Sequence, residues 1–474
     1  MAITAIRAMV RGCAIRSLIP RRRRPESSRP GPRRGTVERQ AARRRTSRPF
    51  STVRHNFIYT TLEGMSTNTA FGLVNPFLGV YAIALGASSF FVALITSAPA
   101  LANALVFLPA ASVVERRKAR LPMVLFWAGL HRMLYLPLAF IPFLPVPPAM
   151  KAAALVAVVT FMSVPGAISG LAWTAMVGDM FPENRRGEVF GLRNMYVGLT
   201  GVLGTLAAGH LLDIVAFPVN YTALFVVATA FGALGIAFMS RMREVKPPHD
   251  GAVGARPGLI LRVKDLLTDE EYGRKFKFFS LSCFMLWFGF GFTAAMWPIY
   301  HVEVLSLSNT TIGGFATLAG LATVASSVYW GKVVSRCGNR IVLLICMTGL
   351  ALFPATYMLS RSVSYLYAMQ VVSGLCIGGI NLAVFNLALA YAKPGRSASA
   401  VAVFNMMINV ASFVAPFLGD VFYRAFGVQV TFYAGTCVRL VSLLFLSRIM
   451  ERPLRVIPRV QWVRRGRATI SREG

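Results

Sequence analysis

The chain is short of charge, and shortest of acid. Its 474 residues carry 18 Asp and Glu against 50 Lys and Arg, and charged residues make up only 14% of the whole. So few charges cannot cover the surface of an ordinary water-soluble protein of this length. Cysteine is scarce too. Cys13, Cys283, Cys337, Cys346, Cys376 and Cys437 stand apart, with neither CxxC nor metal-ligand spacing, which argues against a disulfide framework or a metal site and leaves them as small apolar packing residues. GxxxxGK[ST], HExxH and a usable Ser/His/Asp set are all missing, so nucleotide-driven pumping, zinc hydrolysis and triad chemistry have no residues to run on. An enzyme is not expected, nor a cofactor; uphill movement of a solute would draw on a gradient, with protons the expected ion.

What the chain has is apolar length. Hydrophobic residues make up 55% of it and the mean hydropathy is +0.58. The apolar stretches run to about 20 residues or more, roughly what is needed to cross about 30 Å of hydrocarbon. They contain many Gly, Pro, Ser and Thr, as helices packed closely in lipid do. A polar middle segment, 242–277, divides them into two similar halves, 56–241 and 278–448, each reading as six spans. These fall near 57–84, 89–113, 122–145, 149–178, 188–214 and 221–241, then 278–304, 310–334, 341–360, 365–391, 398–423 and 428–447. The fold class expected is therefore all-α integral membrane, with 12 transmembrane helices in two pseudo-symmetric bundles.

Nearly all Lys and Arg fall on one set of loops and on both tails, an asymmetry that places those loops and both termini in the cytoplasm. A plasma membrane, bacterial inner membrane in type, is the expected location. Residues 1–55 form a basic arm with 16 Arg, no Lys, and clusters at Arg21-Arg22-Arg23-Arg24 and Arg43-Arg44-Arg45; residues 449–474 form a second basic tail. Pro and Ser between the clusters make the arm a disordered segment. Three readings of it compete: an arm held to anionic lipid, an over-extended gene start, and an organelle transit peptide. No aromatic residue interleaves with the arginines before Phe50, so nucleic acid is not an expected partner. The expected partners are the bilayer and a small-molecule substrate, and the protein is expected to be a monomer.

Laying one half over the other exposes an internal repeat. Asn75-Pro76 falls 222 residues before Trp297-Pro298, and Leu85-Gly86-Ala87-Ser88 meets Leu307-Ser308-Asn309-Thr310 at the same offset; farther on, at about 211, Asn194-Met195 meets Asn405-Met406. A duplicated six-helix unit in a membrane points to halves that rock about a central site.

Two turns at repeat-related positions carry a motif. The first contains Glu115-Arg116-Arg117-Lys118, and the second reads Gly331-Lys332-Val333-Val334-Ser335-Arg336-Cys337-Gly338-Asn339-Arg340. Both resemble the signature loop of the major facilitator superfamily: a Gly, three variable residues, an acid, Arg, then a basic turn with another Gly. The first keeps an acid and arginines without the glycines, whereas the second keeps Gly331, Gly338, Arg336 and Arg340 with Ser335 where the acid would stand. The loop Asp179 to Gly187 is similar to that family as well. The resemblance covers about residues 56–448 and implies its fold and a transport function. Proton-driven drug antiporters of the family tend to carry an Arg followed by Gln-Gly in the fourth span and a Gly-Pro pair in the fifth, and neither is present here.

Candidate working residues are few. Glu63 lies roughly 10 Å into the first span at 1.5 Å per residue, and a carboxyl there is the first proton-coupling candidate, with a hydrated helix-end acid as the plainer alternative. His131 and Arg132, mid-way along the third span, are the others; Arg132 needs a counter-ion, and Glu63 is its natural partner. Arg439 in the last span is expected to snorkel to the inner interface. Thr61, Asn68 and Asn75 recur every seven residues; Asn405, Asn409, Ser412 and Pro416 align on the eleventh span; Gln370, Asn381 and Asn386 add amides from the tenth, and Trp173 and Trp297 offer flat contacts. Interhelical hydrogen bonding accounts for each singly, and a polar central cavity accounts for them together. Gly191, Gly198, Gly201, Thr205 and Ala208 read as a close-packing face. The function expected is proton-coupled export of an apolar or amphipathic solute by alternating access. The alternatives are uptake of a sugar or other neutral nutrient, and a non-transporting scaffold or receptor on the same fold.

Overall fold

Proline and glycine decide where the helices break. The computed structural model describes residues 50–116, 119–181, 186–244, 273–391 and 397–450. Helix α1 (Phe50–Val74) runs into Asn75-Pro76, and Pro76 has no N–H with which to bond the carbonyl four residues back. The chain therefore makes a 3₁₀ turn over Asn75–Phe77 and continues as α2 (Leu78–Ala84). The carbonyl released, that of Gly72, accepts instead from Thr205 Oγ1 at 3.0 Å. Helices α3 (Ser89–Arg116), α4 (Leu121–Met133) and α5 (Tyr135–Phe140) come next, then α6 (Pro148–Met180), α7 (Arg186–Ile214) and α8 (Val219–Met239).

The second half opens with the same interruption. Helix α9 (Gly273–Phe292) stops, the short α10 (Met296–Ile299) contains Pro298, and a π-helical turn, Tyr300–Val304, completes the crossing. Then come α11 (Asn309–Cys337), α12 (Asn339–Tyr357), α13 (Val363–Ala390) and α14 (Ser397–Met450). Gly427 at φ 79° divides α14 into two helical runs. Among the described residues nine helices are long and apolar enough to cross a membrane, or ten if the bent run from Asn309 to Cys337 is one span. The divided α14 counts once in that tally and the polar α1 not at all, so the helices are consistent with the twelve stretches read from the sequence.

Glycines set the close approaches. Gly72 and Gly204 bring α1 and α7 together so tightly that a Cβ at either would strike a backbone oxygen of the other helix, Gly201 O or Thr69 O. Gly419 does the same for α14 against Phe292 of α9. The apolar core divides in three. One cluster bridges both halves, with Phe77, Tyr81 and Tyr221 from the first meeting Met296, Tyr300 and Phe315 from the second. Two others lie within single halves at the end that carries the basic turns: Val124, Met176 and Phe181 in the first, Phe279, Leu343 and Tyr391 in the second. The halves thus share a core at one end and keep separate cores at the other.

Candidate functional site

The two helix breaks face each other. Gly79, just past the first break, packs on Pro298 of the second, where a Cβ would stand 2.8 Å from the ring. Beside this contact lies a cavity of about 580 Å³, walled by both halves: Asn75, Pro76 and Thr96 from the first, Trp297, Pro298 and His301 from the second, and Gln370, Ser373 and Arg439 farther along. Its size suits a drug-sized solute, and discontinuous helices at a repeat interface are where transporters build their sites. Trp297 is held by Phe432 at 4.5 Å, Tyr357 at 5.0 Å and Phe353 at 5.5 Å between ring centres. The imidazole of His301 is fixed by its Nε2 contact with Tyr357 Oη at 3.0 Å.

A second polar cluster lies within the first half. Glu63, 3% exposed, accepts from Arg132 Nη2 at 2.7 Å and from Thr67 Oγ1 at 2.9 Å on one oxygen, while its other oxygen stands 3.5 Å from Arg193 Nη2. Gly232 and Gly235 of α8 make room for the Arg132 side chain. Arg193 also donates through Nε to the Thr60 carbonyl at 3.2 Å and through Nη1 to Asn194 Oδ1 at 3.2 Å, with its guanidinium 4.8 Å from the ring centre of Trp173. One carboxylate is therefore shared by two arginines on three helices. The sequence pointed to Glu63 and Arg132. Arg193 was missed because it sits near the start of its span, where it passes for one more basic interface residue; only folding brings it to the side of α1 that bears Thr60 and Glu63. His131 is packed between Phe71 and Tyr135, and its Nδ1 donates to the Met162 carbonyl at 2.8 Å.

The amides scatter. Asn75 and Gln370 line the cavity with Trp297, but Thr61 bonds within its own helix and Asn68 donates to the Val197 carbonyl at 2.7 Å. Asn386 donates to Asn339 at 2.9 Å and Asn409 to the Asn405 carbonyl at 2.9 Å. Asn381 is exposed on α13. Arg439 does not snorkel. It is 1% exposed, held in mid-bundle by carbonyls that broken helices leave free. In the second signature turn Gly338, at φ 85°, joins α11 to α12, Arg336 lies in the last turn of α11, and Arg340 Nε donates to Tyr391 Oη at 2.9 Å with its guanidinium 5.9 Å from that ring's centre. A Cβ at Gly331 would meet nothing within 4 Å among the described residues. In the first turn, Glu115 and Arg116 end α3, and positions 117 and 118 lie outside the described residues. So do 1–49, most of the central segment, and 451–474.

Two pseudo-symmetric helical halves around a cavity at paired helix breaks make this a multi-pass membrane protein with the architecture of a secondary transporter. The Major Facilitator Superfamily profile matches residues 60–308 and 279–464, and the chain belongs to that superfamily as a transporter of a general kind. No curated protein matches it. Among solved structures, the human organic anion transporter MFSD10 (TETRAN) is 16% identical, with 84% of this chain and 100% of that one aligned and a TM-score of 0.61. A POT family transporter solved in complex with a thioalcohol-conjugated peptide is 13% identical, covering 83% of this chain and 96% of that one, with a TM-score of 0.65. A bacterial homologue of the human lysosomal transporter Spinster, inward-facing and unoccupied, is 14% identical over 85% and 96% of the two chains, with a TM-score of 0.57. At such identities the likeness establishes the fold.

Proposed function

We propose that this transporter moves an amphipathic small molecule out of the cell by alternating access, in exchange for protons, with the end bearing the basic turns on the cytoplasmic side of a plasma membrane of bacterial inner-membrane type. The observation that carries this reading is the cavity between the two helix breaks: most of its wall is apolar, and Asn75, Thr96, Gln370 and Ser373 supply isolated polar contacts. The separate cores at the basic end and the shared core at the other fit a carrier open toward the cytoplasm. Export is the direction that needs a carrier, because an amphipathic solute enters through the bilayer unaided. Glu63 is the group we propose for the proton. Its long contact is to Arg193, on α7, a helix that packs against α11 of the other half, so rocking of the halves can loosen that contact.

The test has two parts. Purified protein in detergent is given a panel of amphipathic compounds and solute-dependent proton release is recorded for the wild type and for Glu63→Gln. In proteoliposomes, pH-gradient-driven movement of the same compounds is compared between wild type and Ala294→Trp, which puts an indole into the cavity at a position that lines its wall. Release that vanishes in Glu63→Gln, with movement that vanishes in Ala294→Trp, supports the reading. Movement without proton release in either form removes the proton role of Glu63, and movement unaffected by Ala294→Trp removes the cavity.

A further inference from the structure

Arg439 borders the cavity with its charge unanswered. Arg132 and Arg193, the buried arginines of the first half, share Glu63, whereas Arg439 has no carboxylate partner among the described residues and the cavity wall contains neither Asp nor Glu. The repeat shows where the difference arises. Adding the 222-residue offset to Glu63 gives Met285, so the second half carries a thioether where the first carries its acid.

What holds Arg439 in place is neutral. Pro354 has no N–H for the carbonyl of Leu350 four residues back, and Arg439 Nη1 takes that carbonyl at 3.1 Å. Nη2 donates to Gly289 O at 3.2 Å, in the last turn of α9 where carbonyls lack helical partners, and to Thr293 Oγ1 at 2.7 Å. The Phe290 ring covers one face of the guanidinium, its centre 4.4 Å from Cζ. A guanidinium has five N–H donors, and these three bonds leave some unused; Nε in particular is buried with no acceptor among the described residues. Dipoles thus fix its position without neutralising it, and a buried charge is costly unless it is paired.

We propose that the solute carries a carboxylate on an apolar body and that Arg439 binds that carboxylate, the body filling the space toward Trp297 and Pro76. This rests on the cavity being the solute site. A neutral lining with one fixed cation gives selectivity as well as affinity, because an anion gains a partner there that a neutral isostere does not.

The test uses the full chain in detergent with 4-phenylbutyrate and its neutral amide as a matched pair, binding measured by calorimetry. The wild type is expected to bind the acid at least about tenfold tighter than the amide. Arg439→Gln should bring the two to equal affinity. Arg439→Lys, which keeps the charge and stands in should the Gln variant not fold, should retain part of the preference. Ala294→Trp should abolish binding of both. Equal binding of acid and amide by the wild type overturns the anion inference and leaves the cavity as a solute site. A preference for the acid that survives Ala294→Trp places the site elsewhere and overturns both readings. Absence of binding by either compound at millimolar concentration overturns the proposed ligand class.

Discussion

Asp213 Oδ1 accepts both the backbone N–H of Asn309, at 2.8 Å, and its side-chain amide, at 3.0 Å, so an acid at the end of α7 closes the N-terminus of α11 in the other half. Its second oxygen takes the N–H of Thr310 at 2.8 Å. Helix N-termini favour carboxylates because their first N–H groups have no partners within the helix. Here the capping group comes from across the interface and ties the halves at the end where their cores are joined.

Removing that cap should loosen the closed end. A capping carboxylate is worth about 1–2 kcal/mol, so Asp213→Ala should shift the balance of the two arrangements roughly 5- to 30-fold toward opening at this end. Spin labels at the exposed Ala216, between α7 and α8, and the exposed Glu303, in the π-helical turn of the second half, read by double electron–electron resonance, should report a larger population at long distance in the variant. An unchanged distance distribution would show that the shared apolar core alone keeps this end shut.

Glu63 should matter to stability independently of any proton. Glu63→Gln leaves Arg132 and Arg193 buried with no counter-ion, and breaking a buried pair in this way costs about 3–5 kcal/mol. The detergent melting temperature should fall clearly, and Glu63→Gln combined with Arg132→Gln should recover part of the loss because one stranded charge is then gone. A single variant as stable as the wild type would mean that water or a residue outside the described segments serves the two arginines.

Much of this was legible in the sequence where local chemistry decides. Apolar runs fixed the spans, and the equal spacing of Asn75-Pro76 and Trp297-Pro298 marked as repeat-related the two positions where the structure has its helix breaks. Glu63 and Arg132 could be paired because an acid and a base in apolar helices need each other. Arg439 was misread because its acceptors belong to other helices: only folding brings the carbonyls left free by Pro354 and by the end of α9 to one point. The seven-residue stripe on α1 failed as a unit for a related reason. Thr61 turns back to its own backbone and Asn68 to Val197, while Asn75 alone reaches the cavity, because each polar group goes to whichever neighbouring helix leaves an acceptor exposed.

Glycines that look alike in sequence should behave in opposite ways. A Cβ at Gly419 would strike the Phe292 carbonyl and force α14 away from α9, so Gly419→Ala should destabilise by about 1–3 kcal/mol, as over-packing does. Gly331 lies within α11 with nothing among the described residues within 4 Å of an added Cβ, and Gly331→Ala should stabilise by about 0.5–1 kcal/mol through helix propensity. Thermal melts of both variants decide the matter. Destabilisation by Gly331→Ala would show that this signature glycine meets a neighbour in another arrangement of the halves.

The paired breaks should set stability against function. A proline inside a helix costs about 3 kcal/mol through its lost hydrogen bond and its clash with the preceding turn, and in this chain the cost is only partly offset, by Thr205 Oγ1 bonding the Gly72 carbonyl. Pro76→Ala restores the missing N–H. It should draw Asn75–Phe77 back into a continuous helix and raise the melting temperature. The same straightening moves Asn75 and Gly79, and with Gly79 the seat of Pro298, so the cavity wall shifts on both sides. Pro76→Ala should therefore be at least as stable as the wild type and yet show no stabilisation by solutes that raise the wild-type melting temperature. Pro298→Ala should do the same from the other half. If either variant keeps its full response to solute, the breaks serve folding alone, and the cavity beside them does not depend on their geometry.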